Sequence, residues 1–449
     1  MRGKSYRNRY WLYGRIRMPE KQGKKILIIT PHYPPSNLAA VHRSRLFAQH
    51  LPAFGWEPVI LAVHEDFYEE ELDWNLHKLL PANQRIEKVK AFNVTKPRLV
   101  GDIGLRAFYQ LRKRALELVQ KEQIDFVYIP IPSFYVSLIG PYLHRKTGVK
   151  YGIDYIDPWV HTFPGSDKTF SRHWFSTKLA KWLEPKAIKE ASLVTGVAEG
   201  YYKAVIERNP SLKSSCLFGA MPYGGEALDH ERMEELELKP YLFQKNNKQQ
   251  FLYAGAMLPK AYQPLEKIFQ AIAQQKESFA ETEFHFVGTG KSPNDANGFN
   301  IKPLAEKYGL WQSVVFEYPK RIPYLDVLVH LTAVDAVFIL GSTEPHYTPS
   351  KAYQGVLSGK PILAVLHSES TAVKVLEEAR AGIVLAFNGE KELDKIADNW
   401  MSVWNSFCAF AEKFQKADVN QSVFAEYSAN AVTKKLAHLL DAVVQQELR

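Results

Sequence analysis

The run DAVFILGSTEPHYTPSKAYQGVLSGKPILAV (335–365) decides the fold. It opens and closes on short continuous apolar segments, DAVFIL (335–340) and PILAV (361–365), as parallel strands covered on both faces require. Between them lies a short helix with marked ends. Thr348 is a good N-cap, Pro349 suits the first helical position, and Gly359 fits the left-handed position after the last turn. Strand, helix and strand in that order make a βαβ unit. Ser350 and Lys351 fall in the first turn, where free N–H groups and the positive end of the dipole form an anion site. A lysine there opposes the dipole unless an anion neutralises it; a solvated lysine at a helix start is the plainer alternative.

The alternation extends in both directions. Upstream in the same half come QFLYAGA (250–256), EFHFVG (283–288) and SVVFEY (313–318), and downstream GIVLAF (382–387), with helical patterns between them. An earlier series reads KKILIIT (24–30), EPVILAV (57–63), DFVYIP (125–130), KYGIDY (150–155) and SLVTGV (192–197). The spacing predicts an α/β chain of two doubly wound, Rossmann-like domains, residues 24–215 and 249–390, joined by a linker at 216–248. Residues 391–449 read as a C-terminal helical tail. Ligands of such sheets bind at the C-terminal ends of the strands, so a cleft between the domains is expected.

Composition narrows the class. The 449 residues are 46% hydrophobic, with no apolar run long enough to cross a membrane as a helix and no signal-peptide pattern. Cys216 and Cys408 stand far apart without metal-binding spacing, so neither a disulfide framework nor a structural zinc site is indicated, and a cytoplasmic location is expected. Nearly all of the +9 net charge lies in residues 1–25, which hold nine basic groups and one acid beside Tyr6, Tyr10, Trp11, Leu12 and Tyr13. A neutral body with a basic aromatic arm, residues 1–23, argues against a nucleic-acid binder. The arm suits peripheral contact with anionic lipid at the inner face of the membrane, or is a solvated chain end.

Two further turns bear on chemistry. FHFVGTGKS (284–292) ends like a phosphate-binding P-loop, yet His285 stands where its first glycine belongs, and Pro293 spoils a GxGxxG reading. What remains is a glycine turn that lets a ligand or another backbone come close. Lys260 follows FLYAG and its Gly255 in a loop before a helix. Two lysines and a helix start around one crevice suit a diphosphate.

With these motifs in order, the second half resembles the donor-binding domain of family 4 glycosyltransferases of GT-B fold. Gly255 and Lys260 match a glycine-ended strand with a lysine loop; Val287, Gly288 and Gly290 match an hxGxG turn; Val314 through Pro323, including Ile322, match vxFxGxhP. The segment Gln354 to Pro361 matches the second half of a Glu-x7-Glu motif and its following GxP. In the first half, YPP (33–35), Arg43, LPAFGWEPVIL (51–61) and Asp154-Tyr-Ile-Asp157-Pro-Trp159 resemble the acceptor domain of a bacterial cell-surface-polysaccharide subset, whose corresponding run is DxRDxW. The chain departs from the pattern at Gln354 and His346, where the family has its two glutamates, at Ala256 and at Ile156, where it has arginines.

The resemblance implies retaining, metal-independent transfer of a sugar from a nucleotide-diphosphate sugar, a co-substrate and not a resident cofactor, to a glycan or lipid-linked acceptor. It places Lys260 and Lys351 on the leaving diphosphate, with Asp157 as acceptor-positioning group or base; an Asp-Pro turn is the plainer reading of Asp157. Donor binding falls to Gly255, Gly288, Gly290, Ile322, Glu344, His346, Tyr347, Thr348, Ser350 and Gln354, and the acceptor side to His32, Asn37, Arg43 and His161. Glu344 is the carboxylate nearest the missing first glutamate. A GT-B sugar-nucleotide epimerase and a non-catalytic nucleotide-sugar or partner-binding protein are the alternatives.

Overall fold

A computed structural model describes residues 23–95, 100–160 and 168–445. The basic arm, apart from its last residue, and His161 therefore lie outside the described residues.

Among the described residues, thirteen strands form two wholly parallel sheets. The N-terminal sheet holds β1 (Lys24–Ile29), β2 (Trp56–Val63), β3 (Arg85–Val89), β4 (Phe126–Ile131), β5 (Lys150–Tyr155), β6 (Leu193–Gly196) and β7 (Leu217–Ala220). The C-terminal sheet holds β8 (Gln249–Ala254), β9 (Thr282–Val287), β10 (Val315–Tyr318), β11 (Ala336–Leu340), β12 (Ile362–His367) and β13 (Gly382–Phe387). Their orders are β3-β2-β1-β4-β5-β6-β7 and β10-β9-β8-β11-β12-β13. In each sheet the first strand is flanked on one side by the second and on the other by the fourth, so the winding reverses there. Such a reversal leaves a crevice at the strands' C-terminal ends.

Burial on both faces explains why the strands are apolar throughout. Ile26, Leu27, Ile28 and Ile29 of β1 are all fully buried; odd and even positions face different helix layers, each side chain contributing about 2 kcal/mol. One face of the N-terminal sheet is covered by helices Phe108–Glu122, Ile139–Thr147 and Arg172–Ile188. Helix Ala39–His50 lies on the other. The C-terminal sheet is covered by helices Tyr262–Gln274 and Leu393–Lys413 on one face and by Tyr324–Ala333, Lys351–Leu357 and Thr371–Glu378 on the other.

Two boundaries differ from the sequence reading. The expected linker begins with β7, which pairs with β6 in full register, so the first sheet extends to Ala220. The same stretch carries helix Ala227–Glu235, whose Asp229 takes both terminal nitrogens of buried Arg45 at 3.0 and 2.6 Å. The tail is not one unit either. Its first helix packs on the C-terminal sheet, but helix Ala429–Gln445 returns to the N-terminal one, burying Leu436, Leu440 and Val443 against Ile26, Phe47 and Trp56. Asp441 accepts a hydrogen bond from Trp56 Nε1 at 2.9 Å. The chain thus crosses between the lobes twice.

Candidate functional site between the lobes

The two winding reversals face each other across a cavity of about 560 Å³. The N-terminal lobe supplies the residues after β1 (Thr30, His32, Asn37) and after β4 (Ser133), with Asp157 beyond β5; the C-terminal lobe supplies Gly255 after β8 and the loop and helix after β11.

Lys351 is the centre of the site. It is the first residue of the seven-residue helix, which starts two residues later than the sequence suggested, because Ser350 takes the cap position. Thr348 is not the cap; its hydroxyl pairs with that of Thr371 at 2.8 Å. The Lys351 ammonium is shut off from solvent with no hydrogen-bond partner among the described residues and lies 3.8 Å from the centroid of the Tyr253 ring. A cation over an aromatic face gains something, but far less than water would have given it. Burial accordingly lowers its pKa to about 7. The site asks for an anion.

Gly255 makes this seat possible. It has φ +121°, and a Cβ added there would stand 2.7 Å from Lys351 Cε. Gly255→Ala is expected to cost about 1–3 kcal/mol through the positive φ and to displace Lys351. Urea denaturation checks the first effect and loss of any nucleotide response the second.

The predicted residues divide. His32, Asn37, Asp157, Gly255, Ile322, Tyr347, Thr348, Ser350, Lys351 and Gln354 all line the cavity. Asp157 stands near Tyr347 and Tyr201, whose hydroxyls are pushed up first by burial and then by its negative charge. Gln354 Oε1 faces His230 Nε2 at 2.9 Å. Burial lowers the pKa of His230, the contact with Gln354 opposing it. His32 Nδ1 lies 2.9 Å from Glu70. Burial would raise the Glu70 carboxyl, but the hydrogen bond and charge of His32 outweigh it and hold it at about 2.

Other placements differ from expectation. Lys260 does not line the cavity; its ammonium stands 3.5 Å from the Glu344 carboxylate. Its carbonyl accepts from the Thr343 N–H at 3.2 Å, which ties the two loops together. His346 packs against the opposite lobe, with its ring 5.1 Å from that of Tyr201 and its Cβ close against Gly200. Gly288 and Gly290 sit behind the cavity, the first beside Gly255 and the second against Pro319. Arg43 points away from the cleft into the core. It makes a two-pronged pair with buried Asp154, the Nη2 contact at 2.9 Å, and donates to the carbonyls of Met221 and Pro222 at 2.9 and 3.0 Å. Burial alone would lower its pKa; Asp154 more than reverses this.

Sequence reasoning missed Arg321 and His42, both of which line the cavity. Arg321 donates to the Asn37 carbonyl at 3.2 Å across the lobes, and burial lowers its pKa. The run KRIP (320–323) was the available signal, since it puts a cation just ahead of the matched Pro323. His42 lies 3.3 Å from Asn37 Oδ1 and against the Tyr324 ring at 4.2 Å. Burial, with Arg45 next, lowers its pKa to about 3, so it is a neutral polar contact.

This architecture defines the class: two Rossmann-like domains with opposed winding reversals are the GT-B fold. Solved structures agree. The chain superposes on sucrose-phosphate synthase from Thermosynechococcus elongatus with a TM-score of 0.62 at 14% identity, covering 94% of this chain and 100% of that one. A glycosyltransferase from Rickettsia africae gives 0.59 at 16%, covering 94% and 99%. Anabaena HepE in complex with UDP gives 0.57 at 14%, covering 93% and 100%. No family model and no curated protein matches the chain. At these identities the likeness establishes the fold, and the chemistry rests on the site.

Proposed function

We propose that this protein is a glycosyltransferase that moves a sugar from a nucleoside-diphosphate sugar to a glycan or lipid-linked acceptor. The observation that carries the reading is the ammonium of Lys351, buried with no hydrogen-bond partner among the described residues, on the cavity wall beside Ser350 and Gly255. A diphosphate placed there would give Lys351 the counter-charge it lacks and receive backbone N–H groups from the start of the short helix. In the reaction the bond from C1 of the sugar to the β-phosphate oxygen breaks, its electron pair leaving with the diphosphate. The acceptor hydroxyl oxygen bonds to C1 and gives up its proton. Negative charge grows on the diphosphate, where Lys351 and Arg321 are the available cations. Asp157, on the opposite wall, would orient the acceptor or take that proton. Gln354 can accept from or donate to a ribose diol. Retention at C1, independence of metal and a role in surface polysaccharide synthesis follow from the family resemblance.

An epimerase is the second reading; solved structures similar to the chain include one described as a UDP-N-acetylglucosamine 2-epimerase from Listeria monocytogenes, with a TM-score of 0.50 and 12% identity. A thermal-shift panel of UDP-, GDP- and dTDP-sugars, followed by labelled-sugar transfer, tests the proposal. One nucleotide should raise Tm, and its sugar should move only when acceptor is added. Conversion without acceptor would point to the epimerase, and no response to any diphosphate would sink both readings.

The binding should depend on pH with a definite sign. Lys351 in the empty cleft loses its proton near pH 7, whereas a diphosphate holds the protonated form. Diphosphate affinity should therefore fall roughly tenfold per unit as the pH rises above about 7. A flat profile between neutral pH and the range of an ordinary lysine would contradict it.

A further inference from the structure

Helix Arg172–Ile188 is apolar on two opposite faces. Ala180, Ala187 and Ile188 face the core, as does Glu184, which is buried and takes Arg208 at 2.7 Å. The outward face carries Phe175, Leu179 and Trp182, spaced i, i+4 and i+7 as one stripe. Phe175 is 55% exposed and Trp182 60%, and Phe170, just before the helix, is 76% exposed. A surface helix should show polar groups here. Lys178, Lys181 and Lys186 flank the stripe, and the helix's one acidic residue is the buried Glu184.

The stripe runs into a basic hollow. Lys186 lies with its ammonium 3.2 Å from the centroid of the Trp182 ring and also lines a cavity of about 460 Å³ with Arg112, Arg145, Lys189 and Glu190. Glu190 is taken by Arg145 at 2.9 Å. Among the described residues no carboxylate pairs with Arg112, Lys186 or Lys189; Arg112 instead lies against the rings of Tyr109 and Tyr142, 5.4 and 4.9 Å from their centroids.

We propose that this flank of the N-terminal lobe docks on an anionic lipid bilayer, the Phe175–Leu179–Trp182 stripe entering the headgroup layer and the Arg112–Lys186–Lys189 hollow receiving a lipid phosphate. The pairing of residue types selects the partner. Protein interface cores are depleted in lysine, whereas a bilayer surface accommodates aromatic rings beside lysines whose stems lie along apolar matter and whose heads meet phosphate. The inference deepens the proposed acceptor chemistry and rests on it only for the purpose of docking; the docking itself is measured without any nucleotide.

The experiment is co-sedimentation of the full chain with phosphatidylcholine vesicles, with and without one-third phosphatidylglycerol. A triple variant, Phe175→Ser, Leu179→Ser and Trp182→Ser, changes only outward side chains and should keep the native Tm and nucleotide response. Its partitioning onto anionic vesicles should fall about tenfold or more. Lys186→Gln with Lys189→Gln should lose roughly fivefold per charge, on anionic vesicles only. Brominated lipid should quench wild-type fluorescence more than that of Trp182→Phe. Triple-variant partitioning equal to wild type would overturn the proposal. So would a lipid-free dimer that the triple variant abolishes, or competition by millimolar inorganic phosphate that removes all preference for anionic vesicles while the stripe has no effect.

Discussion

Replacing Lys351 by methionine is expected to stabilise the empty protein and disable it. The wild-type ammonium is buried over the Tyr253 ring with no hydrogen-bond partner among the described residues. Burial drops its pKa from 10.5 to about 7. The sign of the linkage follows. Between those values the unfolded chain holds a proton that the folded protein has released, so stability rises with pH through that window. Below about pH 7 the folded state carries the whole penalty. Methionine has nearly the same length and no charge, so near neutral pH it should relieve on the order of 3 kcal/mol and flatten the rise toward alkaline pH. Transfer should fall by about 100-fold or more, the scale of losing one fixed cation from the site where charge develops. Denaturation across a pH series checks the first effect and kcat/KM with the responding donor the second. A destabilised variant that still turned over would place the lysine in the scaffold and not in the site.

Arg43→Leu should do the reverse. Asp154 is fully buried, held by Arg43 and by the Thr195 hydroxyl at 2.8 Å. Removing the guanidinium strands that carboxylate and frees the carbonyls of Met221 and Pro222, which begin the crossing to the second lobe. A loss of about 3–5 kcal/mol is expected. Adding Asp154→Leu should recover most of it, because a buried pair replaced by packed apolar groups is often nearly neutral. Urea denaturation of the two variants measures this. Nucleotide binding per folded molecule should survive in both, since neither residue lines the cleft. A large loss of binding without loss of stability would restore Arg43 to the acceptor side.

The contrast between these two residues marks what the sequence could convey. Strands such as KKILIIT and DAVFIL were legible because burial on both faces writes an unbroken apolar run into the chain. The edge strands of the N-terminal sheet were not. RIEKV in β3 is half-exposed with charges among its apolar residues, and β7 has four residues, two of them small, inside a stretch of linker-like texture. The amphipathic pattern of Ala429–Gln445 announced a helix but could not say that its partner lay on the first sheet. At the site, Lys351 was legible because a cation in a first turn is a local anomaly. Lys260 and Arg43 were misplaced because their partners, Glu344 and Asp154, are distant in sequence, and pairing of that kind leaves no local trace. Arg321 was passed over because its neighbour Asn37 belongs to the other lobe.

Calorimetric titration of a nucleoside diphosphate into the wild-type protein at about pH 8, in two buffers of different ionisation enthalpy, tests the central claim most directly. The account predicts heats that differ between the buffers by close to one proton taken up per diphosphate bound, with the difference absent in Lys351→Met. Heats independent of buffer, or saturable binding by the variant at wild-type affinity, would contradict it.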